Sequence, residues 1–221
     1  LELRGGFGTG VVTSLIRVEG RPMGLLANNP GHLGGAIDSE AADKAARFLQ
    51  LCDAFGLPVV SLCDTPGFMV GPEAERTATV RHFSRLFVTG ANLSVPVCAL
   101  ILRKAYGLGA MAMLGGNTHA PVATAAWPSG EIGAMGLEGA VRLGFRRELE
   151  AVAEPVERER AFQARVDELY ARGKALNAAT VMEIDDVIDP ADSRALITAA
   201  FRDTPGPVPG SERRRPYVDT W

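Results

Sequence analysis

Two short runs that are apolar almost from end to end, Pro58 to Cys63 and Val95 to Leu102, constrain this chain more than any other feature. A strand with one wet face alternates apolar and polar residues, whereas a strand covered on both faces has no need to. Stretches with helical periodicity lie between and around these runs. That alternation predicts an α/β fold whose parallel sheet is sheltered on both faces.

The flanking segments follow the same logic. Val11 to Val18 is rich in β-branched residues, and Glu19-Gly20-Arg21-Pro22 leads into a second apolar run, Met23 to Ala27. This reads as a β-hairpin. After the loop from Asn28 to Gly35, Asp38 or Ser39 can cap a helix running to about Phe55. Its polar face carries Glu40, Asp43, Lys44, Arg47 and Gln50, and its contact face Ala42, Ala45, Ala46, Leu49 and Cys52. The turn Asp64-Thr65-Pro66-Gly67 precedes a helix over Glu73 to Thr89. A charged helical segment covers about 146–175, with Phe162, Val166, Leu169 and Tyr170 as a narrow apolar stripe. That stripe suits a helix packed on the domain or an oligomer contact. Asp189-Pro190 starts a last helix to about Arg202 with Leu196, Ile197 and Ala200 inward, and an extended tail follows over 203–221. Residues 1–221 read as a single domain.

Charge and composition exclude several functions. The 221 residues hold 23 Lys+Arg and 26 Asp+Glu, a formal charge of -3 that offers no general grip on nucleic acid or acidic lipid. A 47% hydrophobic, 22% charged composition is globular rather than disordered. No apolar run is long enough to span a membrane, and no secretory signal pattern opens the chain. The expectation is a cytoplasmic protein, or a mitochondrial matrix one if a preceding segment is missing. The chain opens at Leu1 and reads as a piece of something longer. Cys52, Cys63 and Cys98 lie far apart in apolar surroundings and read as buried free thiols. His32, His82 and His119 lack metal-ligand spacing, and there is no G-x-S-x-G elbow or P-loop. Gly5 to Gly10 is glycine-rich but precedes a strand rather than a helix.

One segment retains chemical promise. Ala105-Tyr106-Gly107-Leu108-Gly109-Ala110-Met111-Ala112-Met113 directly follows the second apolar strand. Glycine permits a sharp turn and close approach of the backbone, and the Ala/Met run favours a helix. Together they can aim unpaired backbone N–H groups at an oxygen that carries negative charge. Such an oxyanion hole needs no titratable side chain. The same glycines also suit a crowded strand–helix junction.

A series of motifs adds a resemblance over nearly the whole chain. Asn28-Asn29-Pro30, Gly34-Gly35-Ala36-Ile37-Asp38, Asp64-Thr65-Pro66-Gly67-Phe68, Arg103-Lys104-Ala105-Tyr106-Gly107, Ala126-Trp127-Pro128, Met135-Gly136 and Ile184-Asp185-Asp186-Val187-Ile188-Asp189-Pro190 occur in order. The chain resembles the C-terminal half of the carboxyltransferase (β) subunit of biotin-dependent acyl-CoA carboxylases of the propionyl-CoA/acetyl-CoA type. The resemblance implies a ClpP/crotonase-like fold of stacked ββα units. It also implies transfer of a carboxyl group from carboxybiotin to the α carbon of an acyl-CoA, through enolates held by backbone oxyanion holes. In that family the site lies between the N domain of one subunit and the C domain of its dimer partner. The implied partners are therefore an N-terminal carboxyltransferase domain, a biotin carboxyl carrier, a biotin carboxylase and further copies of the subunit.

Against the propionyl-type pattern A-Y-G-G-A, the segment Tyr106-Gly107-Leu108-Gly109-Ala110 reads as carrying one inserted residue. Counting back from Trp127-Pro128 gives the same shift. The resemblance then puts the Gly-Ala oxyanion pair on Gly109 and Ala110, with Gly107 and Leu108 as second choice. The acyl-selecting position, an aspartate in propionyl-type enzymes, falls on Ala112. Gly35 and Ala36 sit where crotonase-like folds place a first oxyanion donor. Phe68 and Met69 line the biotin cleft or belong to the core. Other readings remain: a related decarboxylase or transcarboxylase, a self-contained enoyl-CoA hydratase or isomerase using Glu131 and Glu138, or a non-catalytic assembly subunit.

Overall fold

A computed structural model describes residues 1–203 and 217–220. Strands β1 (Val11–Val18) and β2 (Arg21–Asn28) form the antiparallel hairpin. Glu19 and Gly20 both take positive φ (48° and 81°), so the two-residue turn follows the right-handed twist of the strands. Helix α1 (Ser39–Phe55) begins where Asp38 Oδ1 accepts the Ala41 N–H at 2.8 Å and ends at Gly56 with φ 65°. Strand β3 (Val59–Thr65) runs parallel to β2. Next come α2 (Pro72–Arg76), α3 (Thr79–Ala91), β4 (Val97–Tyr106) and α4 (Gly107–Met113).

β4 runs parallel to β3, to β5 (Ala123–Ala126) and, at its far end, to β6 (Glu131–Gly133). The remaining elements are α5 (Leu137–Gly144), α6 (Arg146–Ala151), α7 (Pro155–Arg172), α8 (Ala175–Thr180), β7 (Asp186–Val187) and α9 (Ser193–Ala200). Among the described residues the sheet order is β1-β2-β3-β4-β5-β7, with β6 joined to β4 off that path. One face carries the core against α1, α3 and α4, including Leu26, Val59, Ile101, Leu49, Leu86 and Met113. Met23, Val60, Cys98 and Leu100 pack on the other face beneath Ile197 of α9 and Phe201. The sheet is covered on both sides, as its apolar strands require.

Four local expectations change. The helix over Glu73 to Thr89 is interrupted at Ala78 (φ 53°), giving α2 and α3. Thr77 Oγ1 bonds the Glu73 carbonyl and Thr79 Oγ1, so threonine side chains compete with the helical ladder there. Lys44, read as part of the polar face of α1, is buried and donates to the Val11 carbonyl at 2.8 Å, tying α1 to β1. Burial lowers its pKa from the ordinary lysine value. The last helix starts with a short 3-10 turn at Pro190–Asp192 before α9, with Ile197 buried. The charged segment is α6, α7 and the entry to α8, and Val166 is the buried residue of α7. Most of the expected tail lies outside the described residues. Asp219 within it bonds Gln50 and Arg85.

All three cysteines are buried and free. Burial pushes the Cys52 and Cys63 thiols up to about 12 and Cys98 to about 11. The thiolate is the reactive form, so native protein at pH 8 is expected to react with Ellman's reagent at none of them. Unfolding in guanidinium releases all three. A native thiol reacting as fast as free cysteine contradicts this packing.

Candidate active site

The backbone at the end of β4 can be accounted for donor by donor. Thr65 pairs with Ala105 across β3 and β4. Pro66 has no N–H, so this parallel pairing must draw the N–H of Tyr106 to the Thr65 carbonyl. On the opposite side Tyr106 pairs with Gly133 of β6. With the Tyr106 N–H already used, that pairing draws the N–H of Gly107 to the Gly133 carbonyl. Gly107 turns at φ 59°, and any Cβ there would sit 2.8 Å from the Ala134 carbonyl oxygen. Only glycine takes this corner without strain.

α4 starts at once, with Tyr106 as its N-cap. Its first i→i−4 bond joins the Ala110 N–H to the Tyr106 carbonyl. The N–H groups of Leu108 and Gly109 are left with no acceptor in either the sheet or the helical ladder. They lie at the positive end of the helix, where an anionic oxygen is favoured. The two adjacent sequence candidates pairs are thus redistributed: Leu108 and Gly109 carry the unpaired donors, while Gly107 and Ala110 have theirs engaged.

Beside this turn opens a cleft of about 440 Å³. Pro66 to Gly71 form one wall, Ala134 to Gly136 another, and Tyr106, Gly107 and Leu108 the end, with Val80 and Phe83 of α3 below. The lining is mainly apolar, and Glu75 supplies a carboxylate on the rim. Phe68 and Met69 both line it. Phe68 also stacks on Phe83 with ring centroids 3.9 Å apart, so it belongs to the cleft wall and to the core below. Gly109 holds the geometry from beneath. A Cβ on it would meet the Gly67 carbonyl carbon at 2.6 Å and the Phe68 nitrogen at 2.8 Å, so α4 rests directly on that peptide.

Asp64 anchors the same loop. Its carboxylate accepts from Arg103 at 2.9 Å and from the Lys104 N–H at 3.2 Å, and its own N–H donates to Asn28 Oδ1 at 3.0 Å. Its side chain therefore joins β3 to β4 rather than capping the turn after it. The carboxylate raises the Arg103 pKa further above its ordinary value.

Two expected site positions are corrected. The N–H of Gly35 donates to the His32 carbonyl at 2.9 Å and that of Ala36 to the Leu33 carbonyl at 3.1 Å. These donors are consumed by the turn Leu33–Gly35 and are not available to a ligand. Gly35 has φ 93° and packs against the Asp64 carbonyl, which is a close-approach role. Ala112 is 1% exposed and faces the core, so it cannot touch an acyl chain. Met111 is the partly exposed residue of that turn, at 38%.

The sequence reading missed the wall formed by Ala134 to Gly136 and the end formed by Tyr106. Met135-Gly136 and Tyr106 stood in the motif series, but only the strand pairing of β6 with β4 reveals why they meet. Among the described residues, no group of His, Cys, Asp or Glu side chains is arranged to hold a metal, and no helix is long and apolar enough to cross a membrane.

The carboxyl transferase domain family model matches residues 1–204. The chain belongs to the carboxyl transferase domain family. The methylmalonyl-CoA carboxyltransferase 12S subunit of Propionibacterium freudenreichii subsp. shermanii is 40% identical over 203 residues, covering 91% of this chain and 38% of the relative. A solved single-chain, multi-domain long-chain acyl-CoA carboxylase shares 63% identity at a TM-score of 0.83, over 90% of this chain and 19% of that one. The transcarboxylase 12S hexamer, solved with methylmalonyl-CoA bound, shares 38% identity at a TM-score of 0.83, over 91% of this chain and 38% of that one. This carboxyl transferase domain thus spans less than two fifths of the length of these relatives, and its fold is the crotonase-like one expected.

Proposed function

We propose that this domain supplies the carboxybiotin-facing half of a biotin-dependent acyl-CoA carboxyltransferase site. The feature that carries the reading is the turn from β4 into α4, whose pairing leaves the Leu108 and Gly109 N–H groups without a ladder acceptor beside an apolar cleft that Leu108 helps to close. The residues present suit biotin: apolar walls from Phe68, Met69 and Met135 for its fused rings, and N–H donors for its ureido oxygen. When bound, carboxybiotin supplies the carboxyl group and a ureido oxygen that gathers negative charge as that group leaves. The Leu108 and Gly109 N–H groups would hold that charge. They are fixed in place before the reaction, so no reorganisation is spent on them during it, and one such donor contributes about 3 kcal/mol. Phe68, Phe83 and the apolar walls shield the donors from water, which strengthens those hydrogen bonds.

The acyl-CoA would be held by the N-terminal carboxyltransferase domain of a partner subunit, with a biotin carrier and biotin carboxylase completing the system. A homo-oligomer follows from a site shared in this way. Read without the inserted residue, the selecting position falls on the exposed Met111 instead of the buried Ala112, and an apolar side chain there in place of aspartate supports an acyl chain longer than propionyl. The 63% identity to a long-chain acyl-CoA carboxylase points the same way.

The test uses this domain joined to the rest of its subunit and run in reverse, from malonyl-CoA, methylmalonyl-CoA and a carboxylated palmitoyl-CoA to biocytin. Carboxyl transfer to biocytin is the expected result, fastest from the long chain. Absence of transfer from every donor, with hydration of an enoyl-CoA dependent on Glu131 and Glu138, replaces this reading with the hydratase one. The geometry argues against that outcome, because Glu131 Oε2 is already engaged by the Tyr106 hydroxyl.

A further inference from the structure

The corner that frees the two donors is tied by a side-chain hydrogen bond to the neighbouring strand β6. Tyr106 is the last residue of β4, the N-cap of α4 and part of the cleft end. Its ring is 5% exposed and lies over Gly133, where any Cβ would meet the ring at 3.3 Å. Its hydroxyl donates to Glu131 Oε2 at 2.5 Å. Glu131 opens β6, the strand that continues into the Ala134–Gly136 wall. β6 is itself held from behind: Ile132 N–H donates to the Gly173 carbonyl at 2.7 Å, and Ala175 N–H to the Gly130 carbonyl at 2.9 Å. The Tyr106–Glu131 contact therefore ties the donor turn to the strand that leads into the Ala134–Gly136 wall, and links both to the junction of α7 and α8.

Building on the carboxyltransferase reading, we propose that Tyr106 and Glu131 act as a positioning pair that sets the Leu108 and Gly109 N–H groups against the cleft. Neither side chain touches the reacting atoms in this role. The backbone of Tyr106 determines where α4 begins, and its side chain is tied to the wall that Gly107 must clear. A loosened ring lets the corner shift, and displacement of preorganised groups by about 1 Å costs on the order of 100-fold in rate. Burial, with the neighbouring Glu131 carboxylate, holds the Tyr106 phenol above its ordinary pKa, so it remains a hydrogen-bond donor throughout the neutral range.

The pair is tested in the complete subunit with the reverse transfer to biocytin. Tyr106→Phe and Glu131→Leu are each expected to lower kcat by about 10-fold or more, with KM for biocytin within about twofold. The double variant should be no worse than the weaker single one, because both break the same contact. Glu131→Gln, which keeps an acceptor for the hydroxyl, should recover most of the loss. Unchanged kcat in a folded Tyr106→Phe subunit overturns the proposal, as do losses that multiply in the double variant. Hydrogen exchange of the peptide spanning 106–113 gives a readout independent of activity, and exchange should quicken in Tyr106→Phe. If the wild-type subunit transfers nothing, the carboxyltransferase reading fails, and unaltered exchange in Tyr106→Phe then overturns the positioning role separately.

Discussion

Leu108→Pro is expected to lower carboxyl transfer by about 100-fold or more while the protein remains folded. Proline deletes a single N–H and is tolerated in the first turn of a helix, where no intrahelical bond is lost. Leu108 is 63% exposed, so the ring has room. The companion Leu108→Ala removes the side chain and keeps the N–H, and its loss should stay within a few-fold. Rates of both, compared after matching circular dichroism and oligomeric state, separate the backbone donor from the side chain. Equal losses in the two variants would assign the effect to apolar contact in the cleft. Gly109→Pro is a poorer probe, because any Cβ at Gly109 strikes the Gly67–Phe68 peptide.

Gly35→Ala is expected to destabilise the fold by about 3 kcal/mol or more, from left-handed strain together with backbone overpacking. Gly35 stands at φ 93°, and its Cβ would collide with the Asp64 carbonyl oxygen, which no rotamer change can relieve. For a chain of this size the melting temperature should fall by about 6–12 °C. The protein that does fold should keep kcat within a few-fold, because the Gly35 N–H is spent on the His32 carbonyl. A variant with unchanged stability but abolished transfer would restore Gly35 as a ligand donor.

Much of this architecture is legible in the residues. The runs at Pro58 to Cys63 and Val95 to Leu102 announce a doubly covered sheet, and Glu19-Gly20 marks the hairpin turn. Asp38 is visible as a helix cap. Lys44 is different: helical periodicity puts it on the polar face, and only the neighbouring β1 carbonyls explain its burial. The break at Ala78 depends on threonine side-chain bonds that periodicity does not register.

The turn proposed to hold the donors is legible in the sequence, but the individual donors are not. The glycine-rich turn after β4 stands out, but choosing among Gly107, Leu108, Gly109 and Ala110 requires knowing where each N–H goes. Pro66 decides that choice, and it lies some forty residues away, just past the end of the neighbouring strand. Gly35 and Ala36 illustrate the opposite error. Their strand–loop–helix setting suggests free donors, whereas the turn Leu33–Gly35 closes on itself. Ala112, put at the selecting position by counting one inserted residue, is buried, because helical periodicity after Tyr106 turns it toward the core.

The most direct test of the central claim replaces the Leu108 amide with an ester by incorporating the α-hydroxy analogue of leucine into the complete subunit. Side chain and backbone shape are retained, and one N–H is lost. The account predicts that reverse transfer to biocytin falls by about 100-fold or more, as for loss of an oxyanion-hole donor, with KM for biocytin little changed. Transfer at the wild-type rate by the ester variant would contradict backbone oxyanion catalysis at this turn.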